Sequence, residues 1–194
     1  MQDDPTPFGP IHIQTGPSLA EVRGRRPGYL STSLMAGGVI PLGNVGATMW
    51  GGLMLGSRVH YNIEVRWGAI GLGLSTGILS NSTNDSVHLL YDYELISIPV
   101  AFNLRYTTLS ASPWFWSMDL SSGLMINVVY LLDGMGDPVD TLATTKLFFS
   151  PTLNIGRRFF DKWRASVYVS YLMILFDVNY FYGIAPGLQV EYEF

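Results

Sequence analysis

The feature that most constrains this chain is an alternation of apolar and polar residues that begins near Tyr29 and continues to Phe194. It is clearest in the stretch from residue 114 to residue 130. There one face carries Trp114, Trp116, Met118, Leu120, Leu124, Ile126 and Val128, and the other carries Ser117, Asp119, Ser121, Gly123 and Asn127. Neighbouring side chains of a β-strand point to opposite faces, so the pattern predicts long strands with one apolar and one polar face.

Segments of this kind follow one another along the chain, separated by sequences that favour turns or loops. The eight segments cover approximately residues 30–40, 45–59, 63–78, 89–106, 114–130, 144–159, 163–176 and 182–194. They are longer than the ~5–6 residues typical of strands in soluble domains, but they suit strands that cross a bilayer at a tilt. Long polar connections at 80–86 and 133–140 alternate with tight turns. We therefore predict an all-β fold, an eight-stranded antiparallel up-and-down transmembrane β-barrel over residues 29–194.

The period of two is interrupted in two places. Tyr61 and Asn62 are expected to reverse the chain, and Glu64 then shares the parity of apolar residues such as Ile70. In the fourth segment the parity of the apolar residues changes near Leu95. Bulges near Gly68 and Leu95 would restore a single phase. Alternatively, the barrel interior has apolar contacts at these points.

Composition narrows the class of protein further. Hydrophobic residues make up 48% of the chain and charged residues only 13%, whereas soluble domains average about 25% charged residues. No run of about 18 apolar residues is present, so a transmembrane helix is excluded and the apolar surface must be spread over strands. The net charge of −4 and the lack of an extended basic patch argue against nucleic acid as a partner. There is no cysteine, which excludes disulfides.

Residues 1–28 differ from the rest because Pro5, Pro7, Pro10, Pro17 and Pro27 prevent a regular strand. We predict an irregular N-terminal arm. Its arginines could bring it into the barrel as a plug beside inward-facing carboxylates, or the arm could lie in the periplasm.

The charged residues indicate which face of the strands meets water. A soluble barrel would show a surface much richer in Lys and Glu than this chain can supply. The lumen of an eight-stranded barrel is narrow and filled by side chains, so opposite charges can pair across it and offset their desolvation. The predicted lumen ion-pair network consists of Glu64, Arg66, Arg105, Asp119, Lys146, Arg164, Glu191 and Glu193.

Aromatic residues cluster near the ends of the segments. Tyr and Trp favour the two interfaces of a bilayer because their rings are apolar and their tips polar. The predicted girdle consists of Tyr106, Trp114, Trp163 and Tyr192 at the tight-turn ends and of Tyr130 and Tyr182 at the loop ends.

On these patterns, residues 29–194 resemble the small β-barrels of bacterial outer membranes, in the size class of the OmpA membrane domain, OmpX and OmpW. The final alternation of Val190, Tyr192 and Phe194 resembles the C-terminal assembly signal of such barrels, with Gln189 where that signal often has Gly. The resemblance implies localisation in the bacterial outer membrane and contact with its lipid. It also implies recognition of the C-terminal strand by the barrel-assembly machinery.

Catalytic chemistry has little support in the sequence. The chain has three histidines, His12, His60 and His88. None is followed by a Ser two residues later, the spacing that would resemble the motif of lipid A deacylases. We predict no enzyme, no cofactor and no metal site. The favoured function is a structural or surface-interacting barrel with a largely filled lumen and exposed loops. The alternative is a passive channel for small or apolar solutes, as in OmpW-like barrels, and a lipid-modifying enzyme ranks third.

Overall fold

The computed structural model describes residues 28–43, 51–82, 92–108, 112–133, 137–175 and 180–194. Residues 1–27 of the expected N-terminal arm lie outside these residues, and so does its expected role as a plug. The strands are β1 (Tyr29–Leu42), β2 (Gly52–Val65), β3 (Gly68–Ser82), β4 (Asp92–Thr108), β5 (Trp114–Leu132), β6 (Pro138–Phe159), β7 (Trp163–Leu175) and β8 (Tyr180–Glu193). Within the described residues, no helix is long and apolar enough to cross a membrane.

Each strand pairs antiparallel with its neighbours in sequence, and β8 pairs with β1 to close the ring. The predicted eight-stranded up-and-down barrel is therefore confirmed. Following paired residues once round the ring from Thr32 leads back to β1 at Leu42, ten residues farther along. The path passes through Val59, Leu74, Phe102, Ser122, Phe149, Met173 and Tyr182. Eight strands with this stagger tilt by about 40° and leave an interior that side chains can fill.

The structure corrects the expected boundary between the second and third strands. The chain reverses at Arg66 and Trp67, where Val65 pairs with Gly68, and not at Tyr61 and Asn62. Both of the latter residues lie within β2. β2 therefore continues three residues beyond the expected turn and ends in a two-residue connection, the tightest link between antiparallel strands.

Of the two explanations for the changes of phase, the structure rules out the bulges. The register is constant through Gly68 and through Leu95 on both sides of their strands. Leu95 lies on the inward side of β4 and is buried there, so the apparent change of phase is an apolar residue in the interior. Among the described pairings, a register shift occurs between Leu131 and Leu132, at the far end of β5.

The outward face of the barrel is apolar. Leu34, Leu53 and Phe102 are 70%, 75% and 76% exposed, and most strands add further exposed Leu, Ile, Val or aromatic residues. Contiguous apolar surface of this extent is unfavourable in water but matches the hydrocarbon core of a bilayer. The buried residues on the opposite face are mainly polar or charged. The barrel is thus apolar outside and carries its buried polar and charged side chains inside, as in transmembrane barrels.

The two ends of the barrel differ. The turn end carries the connections at 66–67 and 160–162 together with both ends of the described chain, and the loop end carries the other set of connections. At the loop end β6 extends beyond β7, because β6 has 22 residues and its described pairs with β7 begin at Leu147, whereas β5 stays paired with β4 as far as Leu132. Residues 138–146 are therefore paired on the β5 side alone within the described chain.

Candidate functional site

The centre of the barrel interior is a guanidinium group that joins opposite walls. Arg105 on β4 donates from Nε to Asp119 Oδ1 on the adjacent β5, at 2.7 Å. It also donates from Nη1 to Glu191 Oε2 at 2.6 Å. Since β8 lies four strands from β4 in the ring, this second bond crosses the lumen. All three side chains are at most 5% exposed.

Asp119 accepts contacts from several directions. Its Oδ2 atom accepts a hydrogen bond from Asn154 Nδ2 at 2.8 Å and lies 3.5 Å from Arg58 Nη1. Its Oδ1 atom lies 3.6 Å from His60 Nε2. The carboxylate is completely buried, so these partners replace the water that would otherwise solvate it.

A second guanidinium extends the cluster toward the turn end. Arg164 forms an ion pair with Glu193 and lies 3.9 Å from Glu191 Oε1. Its Nη2 donates to Tyr29 Oη at 3.3 Å, and its guanidinium carbon lies 5.4 Å from the centre of the Phe115 ring. Arginine suits such a position because it combines directional hydrogen bonds with stacking on aromatic rings.

We call this group the charged layer: Arg58, His60, Arg105, Asp119, Asn154, Arg164, Glu191 and Glu193. Three guanidinium groups face three carboxylates, so the formal charges balance apart from any proton on His60. Burying each ion costs several kcal/mol, and pairing offsets this only when hydrogen bonds also satisfy the charged groups. Asp119 meets that condition at both of its oxygens, and Arg105 meets it at Nε and Nη1 but makes no hydrogen bond from Nη2 within the described residues.

The structure brings five of the eight residues predicted for the lumen network into the charged layer: Arg105, Asp119, Arg164, Glu191 and Glu193. Glu64 and Lys146 lie on inward-facing positions of β2 and β6 but near opposite ends of the barrel. The prediction for Arg66 is wrong. It is exposed in the β2–β3 turn, with its guanidinium 4.9 Å from the centre of the Trp67 ring.

Sequence analysis missed two members of the charged layer, Arg58 and His60. His60 was expected at the turn near Tyr61 and Asn62, and Arg58 was not singled out within the second segment. Both lie inside β2 and are at most 6% exposed. A usable signal was present. Arg58, His60 and Asn62 alternate with apolar residues, and continuing the strand through them would have placed them inward.

Beyond the charged layer, toward the loop end, lies a layer of hydroxyl and amide groups. Asn103 Oδ1 accepts hydrogen bonds from Ser121 Oγ at 2.5 Å and from Ser75 Oγ at 3.2 Å. On the opposite side Ser170 Oγ lies 2.6 Å from Ser150 Oγ and 2.8 Å from Thr152 Oγ1. We call these six residues the hydroxyl layer.

The interior nearer the loop end is apolar. This apolar layer consists of Val39, Leu79, Ala101, Met125, Phe148, Leu172, Ile174, Phe181 and Ala185, with Met54 packed against it. Where it meets the hydroxyl layer there is a cavity of about 60 Å³. Arg58 lines the cavity, and so do Ser121, Ser150 and Ser170. The cavity reaches the wall at the paired glycines Gly56 and Gly77, which have no side chains to fill it.

Aromatic residues lie at both ends of the outward face. At the turn end the rings of Tyr106 and Trp116 are 5.6 Å apart, and Tyr106 Oη donates to the Trp67 carbonyl at 3.0 Å. The rings of Trp163 and Tyr192 are 4.9 Å apart. At the loop end Tyr182 stacks on Tyr171 at 6.1 Å.

The remaining two members of the predicted girdle both lie on β5, one near each end of the strand. Trp114 is 59% exposed, and Tyr130 occupies an outward position near the loop end. The girdle's role at the bilayer interfaces stays a prediction.

Neither metal ligation nor a hydrolytic site has geometric support in the part of the chain described. No three His, Asp or Glu side chains there are grouped so that they could hold a metal ion. His12 and His88 lie outside the described residues. His60 is buried against Asp119 rather than lying at a solvent-accessible turn, which corrects the sequence-based placement.

Comparison with known proteins supports the fold. No family model matches the chain, and no curated protein sequence matches it significantly. Neisserial surface protein A (NspA) aligns with a TM-score of 0.54 and 12% identity over 87% of this chain and 98% of that one. Ail of Yersinia pestis, solved in complex with the heparin analogue sucrose octasulfate, gives 0.55 and 12% over 87% and 100%. OprG of Pseudomonas aeruginosa gives 0.52 and 14% over 89% and 98%.

These solved structures are small outer-membrane barrels, and at such low identity the likeness concerns the fold alone. The apolar outward face adds an independent physical reason to place the chain in a bilayer. Fold and surface together confirm the prediction of a bacterial outer-membrane β-barrel in contact with lipid.

Proposed function

We propose that this barrel is closed to solutes and acts through the surface that it presents at its loop end. The observation that carries the proposal is the bond between Arg105 and Glu191, which joins opposite walls at 2.6 Å. With Asp119 and Arg164 it fills one level of the lumen with paired, buried side chains. A solute passing this level would have to separate buried ions from their partners, which is costly.

The loop-end part of the β5–β6 hairpin, where β6 is paired on the β5 side alone within the described chain, is the surface best suited to contact. Val139 and Leu142 are 60% and 58% exposed on it, beyond the end of the β6–β7 pairing. Backbone groups along an unpaired strand edge can accept an added strand from another chain, and exposed apolar side chains add affinity. The hairpin therefore offers both elements of a protein-binding edge.

The charge of this end favours a basic partner. Asp133, Asp137 and Asp140 lie on or beside the hairpin. The sequences that connect strands at the loop end, 43–51, 83–91, 133–137 and 176–179, contain no Lys or Arg. Ail was solved with a polyanionic heparin analogue. The surface proposed here has the opposite charge preference, so a polyanion would be repelled.

A passive conduit for small or apolar solutes is the second candidate. The apolar layer and its cavity favour it, because they form a partial apolar path toward the loop end. The charged layer interrupts that path. An enzyme acting on lipid remains a weaker alternative, since the described His60 is enclosed in the lumen.

Planar-bilayer recording separates the closed barrel from the conduit. We expect no channel openings for the unmodified protein across many insertions. The double variant Arg105→Ala with Glu191→Ala removes the bond between opposite walls and should produce openings. Arg66→Ala, which changes an exposed turn residue, is the matched control and should stay silent. Frequent openings of the unmodified barrel would overturn the proposal.

Retention on charged matrices tests the surface role. The barrel in neutral detergent should be retained by an immobilised cationic protein at low salt and should pass through immobilised heparin. Asp137→Asn with Asp140→Asn keeps the hydrogen-bonding shape of the side chains and should reduce retention, as salt does. Retention on heparin, or an unchanged elution of the double variant, would contradict a basic partner.

A further inference from the structure

We propose that the cavity between the hydroxyl and apolar layers binds a short-chain monocarboxylate. Its carboxylate would lie at Arg58, and its hydrocarbon part would lie among the apolar side chains toward the loop end. Binding there does not require conduction, so this inference goes beyond the closed barrel proposed above and stands independently of it.

Arg58 supplies the reason for an anion. Its side chain lines the cavity and is 6% exposed, and its Nη1 atom makes no hydrogen bond within the described structure. The nearest carboxylate oxygen is Asp119 Oδ2 at 3.5 Å. Asp119 already accepts hydrogen bonds from Arg105 and Asn154. One carboxylate thus serves two guanidinium groups, which leaves Arg58 with unused donor capacity.

Hydroxyl groups complete the polar side of the cavity. Ser121, Ser150 and Ser170 line it next to Arg58. A carboxylate can accept bonds at several lone pairs, so one guanidinium and neighbouring hydroxyls are a suitable donor set. A buried donor without a partner is costly, and a bound carboxylate would relieve this cost at Nη1.

The opposite side of the cavity excludes a wholly polar ligand. Met54, Leu79, Met125, Phe148 and Leu172 form it, and all belong to or pack on the apolar layer. Methionine side chains adapt their shape to a bound apolar group. A purely apolar ligand would leave the unused hydrogen-bond donors of Arg58 unfilled, and a purely polar one would lose hydrogen bonds to water at this side. An amphipathic anion satisfies both sides.

The volume limits the length of the ligand. The cavity is about 60 Å³, and one water needs roughly 10–15 Å³ by the same kind of measure. The space therefore suits roughly four to six non-hydrogen atoms, the size of acetate, propionate or butyrate. Long-chain fatty acids exceed it.

Methyl NMR of the folded barrel in detergent micelles, labelled at methionine methyl carbons, tests the proposal directly. Met54 and Met125 line the cavity, whereas Met118 faces the lipid and is 47% exposed. Titration with butyrate should shift the Met54 and Met125 signals saturably and leave Met118 unchanged. Butanol and butylammonium, similar in size but lacking the negative charge, should bind at least about tenfold more weakly, as expected for the loss of charge-assisted hydrogen bonds.

Two variants test separately the contribution of the Arg58 charge and that of the cavity volume to butyrate binding. Arg58→Gln should weaken butyrate binding by about tenfold or more, while Arg158→Gln, at the turn end of β6, should leave it unchanged. Ala185→Val fills part of the cavity with Arg58 intact and should also weaken binding. If Arg58→Gln does not fold, Ala185→Val still decides. The proposal is overturned if butyrate leaves Met54 and Met125 unshifted, if butanol binds equally well, or if Ala185→Val binds like the unmodified barrel.

Discussion

The two halves of the barrel interior are built from different chemistry. Toward the turn end, Arg105, Asp119 and Glu191 are held by directional bonds of 2.6 to 2.7 Å, and the bond to Glu191 crosses the lumen. Toward the loop end, residues such as Leu79 and Phe148 pack without directional bonds and leave a cavity. Both halves lie inside the same strands, so the difference comes from the side chains alone.

The difference shows how an eight-stranded barrel can be stable at one level and adaptable at another. Buried ions tolerate few arrangements, because each lost partner leaves a charge unsolvated. Apolar side chains accept small changes of volume at a lower cost. We therefore expect the charged layer to set the closed state and the apolar layer to provide room for a ligand.

The largest effect should follow from removing the central guanidinium. Arg105→Met leaves Asp119 and Glu191 buried without their main partner, and should lower the free energy of unfolding by about 3–5 kcal/mol. Urea-induced unfolding in lipid vesicles measures it. Arg66→Met is the matched control, and should change the value by less than about 0.5 kcal/mol because that side chain is exposed. Equal effects at the two positions would mean that the charged layer does not stabilise the barrel.

A smaller loss is expected in the apolar layer. Leu79→Ala should lower the free energy of unfolding by about 2–3 kcal/mol, because it enlarges a void that the surroundings fill only partly. Leu74→Ala on the same strand faces outward at 57% exposure, where lipid chains can fill the space, so its effect should be smaller. The same unfolding assay compares them. A larger loss at Leu74 would contradict the assignment of the two faces.

The edge of the charged layer should be less sensitive than its centre. Glu193→Gln removes one partner of Arg164, but Glu191 remains 3.9 Å away, and the Glu193 side chain is 14% exposed. We expect a loss of about 1 kcal/mol, near the upper value for partly exposed pairs. Glu191→Gln, at the buried centre, serves as the comparison and should cost more. Equal losses of unfolding free energy for the two substitutions would contradict the expected difference between the edge and the centre of the charged layer.

The smallest effect on stability is expected at the last residue. Phe194 donates its backbone N–H to the Leu30 carbonyl at 2.9 Å, and its ring lies 5.0 Å from that of Tyr192. Deleting it should lower the free energy of unfolding by about 1 kcal/mol or less.

If Val190, Tyr192 and Phe194 form the predicted assembly signal, the same deletion should lower the yield of inserted barrel in cells much more strongly. Heat-modifiable mobility on gels measures that yield, and Phe160 deletion at the exposed β6–β7 turn provides a control outside the C-terminal strand. A loss of yield that is only proportionate to the loss of stability would contradict the role of these residues as an assembly signal.

Much of the architecture was predictable because it depends on local alternation. Trp114 to Tyr130 indicated a strand and its two faces, and the structure places Trp116 outward and Asp119 inward. The error at Tyr61 and Asn62 arose because Asn is common in turns, although here Asn62 donates to Ser31 Oγ inside the barrel. The alternation of Arg58 and His60 with apolar neighbours was the better guide.

Sequence by itself determined the number of strands and, for most of them, the apolar outward face, because a period of two is a property of each strand alone. Only the closed ring decided which inward residues meet. A stagger of ten residues around the barrel sets the relative heights of the strands, and it brings Arg105 opposite Glu191, 86 positions away in the chain. The same stagger gathers the apolar residues around the cavity, whereas the pairing of Val65 with Gly68 leaves Arg66 in a turn.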